Sequence, residues 1–323
     1  MQYLQQNSVV QTLSLTVLLL FFVLFVRSFF RGPKLGIQSA PAKVSGTTYP
    51  YGLSESIGRR ASMEDRNVVI VLKNKGKDEP FVSTLFGLFD GHAGSAAAVF
   101  CSSRIGSVLM NDSAWPHSPP EALVNAFHLL DESFLKLARL HSPPLNDGTT
   151  AVVVLTLGSR ILVANAGDSR AVLIQRSGRA LPLSEDHKPN RPDEIARIKA
   201  LGGGVYFHGV WRVGGVLAVS RAIGDRPLKP FISSTPEIRE WEVGADDAAL
   251  VIACDGLWDV LSNEQVADVT LSAMVALPQG EKTHDPGQRA SSALVRQAII
   301  SGSMDNVSVI VVDLRSSSKT DYY

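Results

Sequence analysis

Cysteine is scarce in this 323-residue chain: Cys101 and Cys254 are the only two, and both stand in apolar segments. That excludes a disulfide framework and fits a reducing compartment. Net charge is lacking as well, because 31 lysines and arginines meet 31 aspartates and glutamates. Such a balance removes the electrostatic case for nucleic acid as a partner. No repeat of solenoid period occurs, which excludes a stacked array. Charged side chains are missing altogether from residues 1 to 26, although the chain as a whole is long enough to bury a large core.

The uncharged start leads into a long apolar run. After a short tail, residues 1–8, the segment 9–31 carries few polar side chains. As a helix, its stretch from Val9 to Phe30 would be about 33 Å long, enough to cross a hydrocarbon core. A cleaved signal peptide would want a basic start and a nearby small-residue cleavage site, and a buried core helix would want a polar face. The segment has none of these, so it reads as a single membrane span. Arg27, Arg31, Lys34 and Lys43 lie at or beyond its C-terminal end, and the positive-inside rule then puts the following domain in the cytosol. On that side the sequons at Asn111 and Asn306 are expected to carry no glycan. Residues 32–50, with three prolines, read as a linker, and residues 316–323 as a loose polar tail.

Residues 51–315 read as one domain. Ala151–Leu157, Ile161–Ala166 and Ala171–Gln175 are short apolar runs; Gly158-Ser159 separates the first two and Ser177-Gly178 follows the third. Connections this short predict antiparallel neighbours, hence a meander. Helices are predicted over Ser95–Leu109, after a capping box at Ser118-Pro119-Pro120-Glu121, over Pro192–Leu201, and after Ser262 and Asp285. Trp211–Val219 reads as a strand and Ser220–Asp225 as a polar loop. Continuous aliphatic strands need cover on both faces. The expected class is therefore α+β, a sheet-on-sheet centre with helices outside, preceded by one transmembrane helix.

The acidic residues fall in a pattern. Phe86–Gly94 (FGLFDGHAG) brings an aspartate, a glycine and a histidine out of an apolar run into one turn, where polar groups are costly without partners. Asp90 offers hard oxygens, Gly91 lets the backbone approach a ligand, and His92 can pass a proton near neutral pH. Alone, an Asp-Gly pair is an ordinary hairpin corner. Here it recurs: ILVANAGD ends at Asp168, LVIACD ends at Asp255, and Asp305 precedes the apolar Val307–Val312. Carboxylates at successive strand ends point to one acidic site. Such a site is stable only when cations fill it, and oxygen donors select magnesium, manganese or calcium over zinc. Arg59–Asp65 (RRASMED) either belongs to that site or is a solvated charged turn.

Taken in order, RRASMED, FDGHAG, DGTTA, ANAGDSRAV, EDHKP, GVLAVSRAIGD, ACDGLWDV and DNVSV resemble the motifs of the metal-dependent protein phosphatase 2C family, and of its plant-like members in particular. The resemblance runs from Tyr51 to Leu314. It implies a central β-sandwich of two antiparallel sheets flanked by pairs of helices, and Mg2+- or Mn2+-dependent hydrolysis of phosphoserine and phosphothreonine by a metal-bridged water. By motif match, Asp90 would bridge two ions, with the Gly91 carbonyl, Asp255 and Asp305 completing the shell. Asp168 and Asp259 match positions that hold a third, looser ion in some members. Glu64 and Asp65 would orient the attacking water, Arg60 would grip the phosphate, and His92 would act as general acid. In hormone-receptor-binding plant members a flap tryptophan stands four residues before the arginine matched by Arg212; here that position is His208, and Trp211 is adjacent instead.

The chemistry is consistent with that assignment. Phosphoryl transfer needs charge neutralisation, an in-line nucleophile and a protonated leaving group. A guanidinium can fork onto two phosphate oxygens, which lysine cannot. No protein nucleophile is required, so Cys101 and Cys254 are expected to pack in the core, and His187 to stabilise a loop. The whole chain is then expected to be a monomeric, single-pass membrane protein whose cytosolic domain acts on phosphoproteins, membrane-associated kinases among them. Two rival functions are a catalytically silent phosphoprotein-binding scaffold, which would be expected to lack a metal aspartate or the arginine, and a metal-dependent nuclease, for which there is no basic groove.

Overall fold

The structure is a computed structural model, and it describes residues 37–39, 46–73, 82–276 and 285–315. The tail 1–8, the expected span 9–31, much of the linker 32–50 and the tail 316–323 lie outside the described residues. Among the described residues, no helix is long and apolar enough to cross a membrane.

In chain order the strands are β1 (Ile37–Ser39), β2 (Tyr51–Ser56), β3 (Arg66–Lys73), β4 (Val82–Phe89), β5 (Gly91–His92), β6 (Gly148–Thr149), β7 (Ala151–Leu157) and β8 (Arg160–Ala166). They continue with β9 (Arg170–Gln175), β10 (Ala180–Pro182), β11 (Val205–His208), β12 (Val210–Val213), β13 (Ile223–Gly224), β14 (Glu237–Glu242), β15 (Asp247–Ala253) and β16 (Val307–Asp313). The helices are α1 (Ala96–Met110), α2 (Pro119–Leu140), α3 (Pro192–Ala200), α4 (Asp255–Trp258), α5 (Asn263–Val275) and α6 (Pro286–Ile300).

One sheet runs β1-β2-β16-β15-β9-β10 and the other β14-β8-β7-β4-β3, with every pairing antiparallel. Side chains alternate along each strand, and this sorts them between layers. On β7, Val152 and Val154 enter the layer between the sheets, where they join Phe86 and Val163 from their own sheet and Leu250, Ile252 and Ile310 from the other. Val153 and Leu155 take the opposite face, in one cluster with Ile105 of α1 and Phe127 and Leu130 of α2. On the far side, Val251, Val309 and Val311 pack under Val266 of α5 and Leu294 of α6. Both faces of both sheets are therefore covered, which is why their strands read as unbroken aliphatic runs.

Three local expectations need correction. β7 and β8 do form a hairpin, but β9 does not continue a meander: it pairs with β15 and β10 in the other sheet. Gly167-Asp168-Ser169 makes the crossing, and Gly167 adopts a φ of +123° that a side chain would resist. The strand expected over Trp211–Val219 ends at Val213 and is one arm of a hairpin with β11. Ser118 stands at the N-cap of α2 without a side-chain capping bond; two prolines in the first turn remove N–H donors that a cap would serve. By contrast, Ser262 and Gln265 form a reciprocal box on α5, and Asp285 accepts from the Gln288 N–H on α6.

Phe86 lies at the middle of the inter-sheet layer, fully buried, with its ring edge-on to Tyr51 at 5.5 Å and 70°. Phe86→Ala is expected to cost about 3–5 kcal/mol, read as a lower denaturant midpoint at constant slope. A loss under 1 kcal/mol, by the same cavity reasoning, would mean that this layer is not the core.

Candidate active site

Each carboxylate of the strand-end pattern reaches the same place. Asp90 follows β4, Asp168 sits in the crossing from β8 to β9, Asp255 opens α4 after β15, and Asp305 stands just before β16. One oxygen from each of Asp90, Asp168 and Asp255 lies within 4.8 Å of the others. With Arg60, Glu64, Gly91, His92 and Asp305 they line a cleft of about 270 Å3.

The cluster is electrostatically costly. Burial raises the Asp90 carboxyl well above its usual range, and the charges of Asp255, Asp65, Asp168 and Asp305 push the same way. Asp255 is raised by burial and then by Asp168, Asp259 and Asp305, while Lys188 opposes. Positive charge entering the cleft would reverse both effects. The donors are oxygens throughout, and the trio is tight enough for its atoms to share one small cation, so the set fits Mg2+ or Mn2+.

Two assigned acids lie outside the cleft wall. Asp65 is buried, its Oδ2 has no hydrogen-bond partner among the described residues, and burial pushes its carboxyl up to about 6. Asp259 caps the C-terminal end of α4; burial raises its carboxyl too, against the pull of Lys188. Asp168, matched to a looser ion, offers an oxygen to the same tight trio as Asp90 and Asp255. Asp305 accepts from Arg60 Nη2 at 2.5 Å, so the arginine and this carboxylate hold each other at the mouth of the cleft.

Of the supporting residues, Asn306 and Lys188 carry no clear signal in the sequence, whereas His187 and the cysteines take the places expected of them. Asn306 ties the Arg59–Asp65 turn to Asp305: its Nδ2 donates to the Ile57 and Ser62 carbonyls at 2.9 and 3.0 Å, and its Oδ1 accepts from the Glu64 N–H at 2.8 Å. Lys188 Nζ lies 2.5 Å from Asp168 Oδ2. His187 is buried and accepts from the Gly167 N–H on Nδ1 at 3.2 Å; burial, aided by Arg221, pushes it down to about 4, so a neutral ring braces the loop beside Asp168. Burial raises both cysteine thiols, in keeping with a packing role.

His92 has a partner that sequence reading missed. Its Nε2 lies 2.9 Å from both carboxylate oxygens of Asp225. A small ribbon of β13, β6 and β5 sets the register, with Gly148 opposite both His92 and Gly224. A side chain at Gly148 would begin 2.2 Å from Asp225 Oδ2 and 2.3 Å from His92 Nε2, so only glycine leaves room for the pair. Asp225 itself takes a left-handed φ of 53°. Its N–H donates to the Asp147 carbonyl at 3.0 Å, and the neighbouring Gly224 N–H to Asp131 Oδ1 at 2.7 Å. Burial would lower the His92 pKa, but the Asp225 hydrogen bond and charge outweigh it and raise the pKa. The visible signal was the aspartate that ends SRAIGD.

The wall beyond Asp168 is made by Arg212, Leu217, Ala218 and Val219. Next to it the β11–β12 hairpin exposes Tyr206, Phe207, Val210 and Trp211, the Phe207 and Trp211 rings edge-on at 5.4 Å.

A family model described as Protein phosphatase 2C matches residues 49–307. Among curated relatives, probable protein phosphatase 2C 69 of Arabidopsis thaliana is 40% identical over 277 residues, 84% of this chain and 73% of its own length. Probable protein phosphatase 2C 71 of the same plant is 39% identical over 292 residues, 89% of this chain; the chain spans only 61% of that relative. Of solved structures, a C. elegans sex determining protein aligns at a TM-score of 0.72 and 25% identity, covering 85% of this chain and 67% of its own. A serine-threonine phosphatase 2C from Toxoplasma gondii aligns at 0.71 and 23% identity, over 86% and 98%, a likeness of fold.

Because the His92 pKa is raised above 6.5, its pairing with Asp225 adds stability that is complete at low pH and is lost as pH rises through the folded value. Asp225→Asn removes the charge and leaves the burial. The His92 ring resonances are then expected to titrate at lower pH than in the unaltered protein; an unmoved midpoint would mean that Asp225 does not govern this ring.

Proposed function

The chain belongs to the protein phosphatase 2C family, and we propose that it is a metal-dependent protein-serine/threonine phosphatase held at a membrane by its N-terminal segment. The observation that carries the hydrolase reading is the convergence of Asp90, Asp168 and Asp255 in a cleft that Arg60 and His92 also line.

Asp90, Asp255, Asp305 and the Gly91 carbonyl would hold two Mg2+ or Mn2+ ions, with Asp168 and Asp259 serving a third. Bound ions would neutralise the carboxylates, screen the phosphate dianion and make water more acidic. The other steps fall to this chain's side chains. Arg60, exchanging Asp305 for two phosphate oxygens, would fix the phosphoryl group for in-line attack. Glu64 is positioned by the Ser62 hydroxyl and the Gly94 N–H, and would orient the attacking water together with the buried Asp65 behind it. His92, kept protonated by Asp225, would give its proton to the serine or threonine oxygen as the P–O bond breaks. An unprotonated alkoxide is a poor leaving group, which makes this proton transfer necessary.

Phosphoproteins are the proposed substrates. The exposed apolar hairpin beside the cleft supports a protein rather than a small ester. The apolar segment 9–31 supports a tether, which would raise the effective concentration toward membrane-associated phosphoproteins such as kinases. Basic residues at its C-terminal end support a cytosolic catalytic domain.

The full chain with Mn2+ is expected to release phosphate from a phosphothreonine peptide and to stop on addition of EDTA. Asp255→Asn is expected to lower turnover about a hundredfold or more. Equal rates for the two proteins would remove the hydrolase reading. Separately, the full chain is expected to stay with membranes through alkaline carbonate while a chain lacking residues 1–44 washes off; a mass shift reversed by N-glycosidase would place the domain on the opposite side.

A further inference from the structure

The turn that supplies Arg60, Glu64 and Asp65 also carries Arg59, which the proposed reaction does not use, and Ser62, whose hydroxyl serves it only by positioning Glu64. Arg59, Arg60, Ala61 and Ser62 are all exposed. The turn is nevertheless held firmly from below, because Asn306 binds the Ile57 and Ser62 carbonyls. Ser62 therefore stands on a braced basic loop at the mouth of the cleft. Its Oγ donates to Glu64 Oε1 at 3.0 Å, and the other Glu64 oxygen accepts from the Gly94 N–H at 3.2 Å. Two residues away, Arg60 reaches across to Asp305.

We propose that Ser62 is a regulatory phosphorylation site, modified by a protein kinase that reads the arginines two and three residues before it, and that its phosphate shuts the chain's own cleft. The inhibitory half rests on the hydrolase reading above. Paired guanidinium groups on an exposed loop are well suited to a carboxylate-lined kinase groove. In the modification, Ser62 Oγ attacks the γ-phosphorus of a nucleoside triphosphate. The new O–P bond forms as the bond to the bridging oxygen breaks, nucleoside diphosphate leaves, and the hydroxyl proton passes to the kinase's base.

The consequence follows from charge. A hydroxyl that now donates to Glu64 becomes a dianion that can only accept, so it repels the carboxylate it had positioned. The same dianion attracts Arg59 and Arg60. Arg60 then grips a phosphate on its own loop instead of one on a substrate, and substrate affinity falls more than the rate of the chemical step. The mark is itself a phosphoserine, the group this cleft is proposed to hydrolyse. A second copy of the chain can remove it, so the inhibited state lasts only while the kinase outpaces the phosphatase.

The test treats the full chain with an arginine-directed serine kinase and ATPγS, whose thiophosphoryl group resists hydrolysis, and locates the label by mass spectrometry. Label is expected on Ser62 and absent there in Ser62→Ala. The KM for a phosphothreonine peptide is expected to rise about tenfold or more on labelling, the scale of a lost charged hydrogen bond, with a smaller change in kcat. Affinity of the Mn2+-loaded chain for inorganic phosphate should fall in parallel, and in Ser62→Ala the treated-to-untreated ratios of KM and phosphate affinity should stay at one. No label on Ser62 would overturn the proposal, as would labelled protein with unchanged KM and phosphate affinity. The labelling and phosphate-binding measurements need no turnover, so an inactive chain would count against the hydrolase reading while these two still decide the proposal.

Discussion

Buried carboxylates repel one another, and the middle of this molecule is arranged around that repulsion. Asp90, Asp168 and Asp255 approach to within 4.8 Å only because each is fixed to a rigid element whose packing is settled elsewhere. β4, the crossing from β8 to β9, and the start of α4 are held by apolar layers that have no dependence on the acids. The sandwich supplies the constraint, and the acids bear the strain. A cation entering a site of this kind would relieve the repulsion.

Positive groups of the protein answer part of that strain. Lys188 stands at Asp168 and Arg60 at Asp305, one on each side of the cluster. The Arg60–Asp305 pair is open to solvent and can be exchanged for an incoming phosphate at modest cost, whereas Lys188 holds a carboxylate that is itself buried. His92 and Asp225 are a different case, because the Asp225 carboxylate is buried and the ribbon of β13, β6 and β5 sets Gly148 directly against the pair. The cleft thus combines a solvent-open ion pair at its mouth with more enclosed pairs deeper in.

The sequence made the layers and the four strand-end aspartates legible because both depend on local pattern. Aliphatic runs of strand length announce covered sheets, and an aspartate at the end of such a run has few structural uses. What stayed hidden depends on pairing across long separations. Asp225 meets His92 over 133 residues, and nothing near either residue identifies the other. The same holds for Asn306 beneath the Arg59–Asp65 turn. The switch of β9 to the other sheet is hidden for another reason: a short connection predicts neighbouring strands, and here a glycine with positive φ lets three residues cross between sheets. The motif resemblance assigns Asp65 and Asp259 to the site, and neither lines the cleft wall, since family motifs fix position along the chain and not orientation.

That three-residue passage between sheets gives Asp168 an unusual mechanical situation. Its backbone belongs to neither slab and is anchored to both, like a rivet through two plates. Any sliding of one slab over the other, from heating, a dented core or a protein leaning on the outer helices, would be delivered to this carboxylate before it disturbed the rest of the molecule. Loss of cation grip should therefore be an early casualty of loosened packing, arriving while the sandwich is still intact.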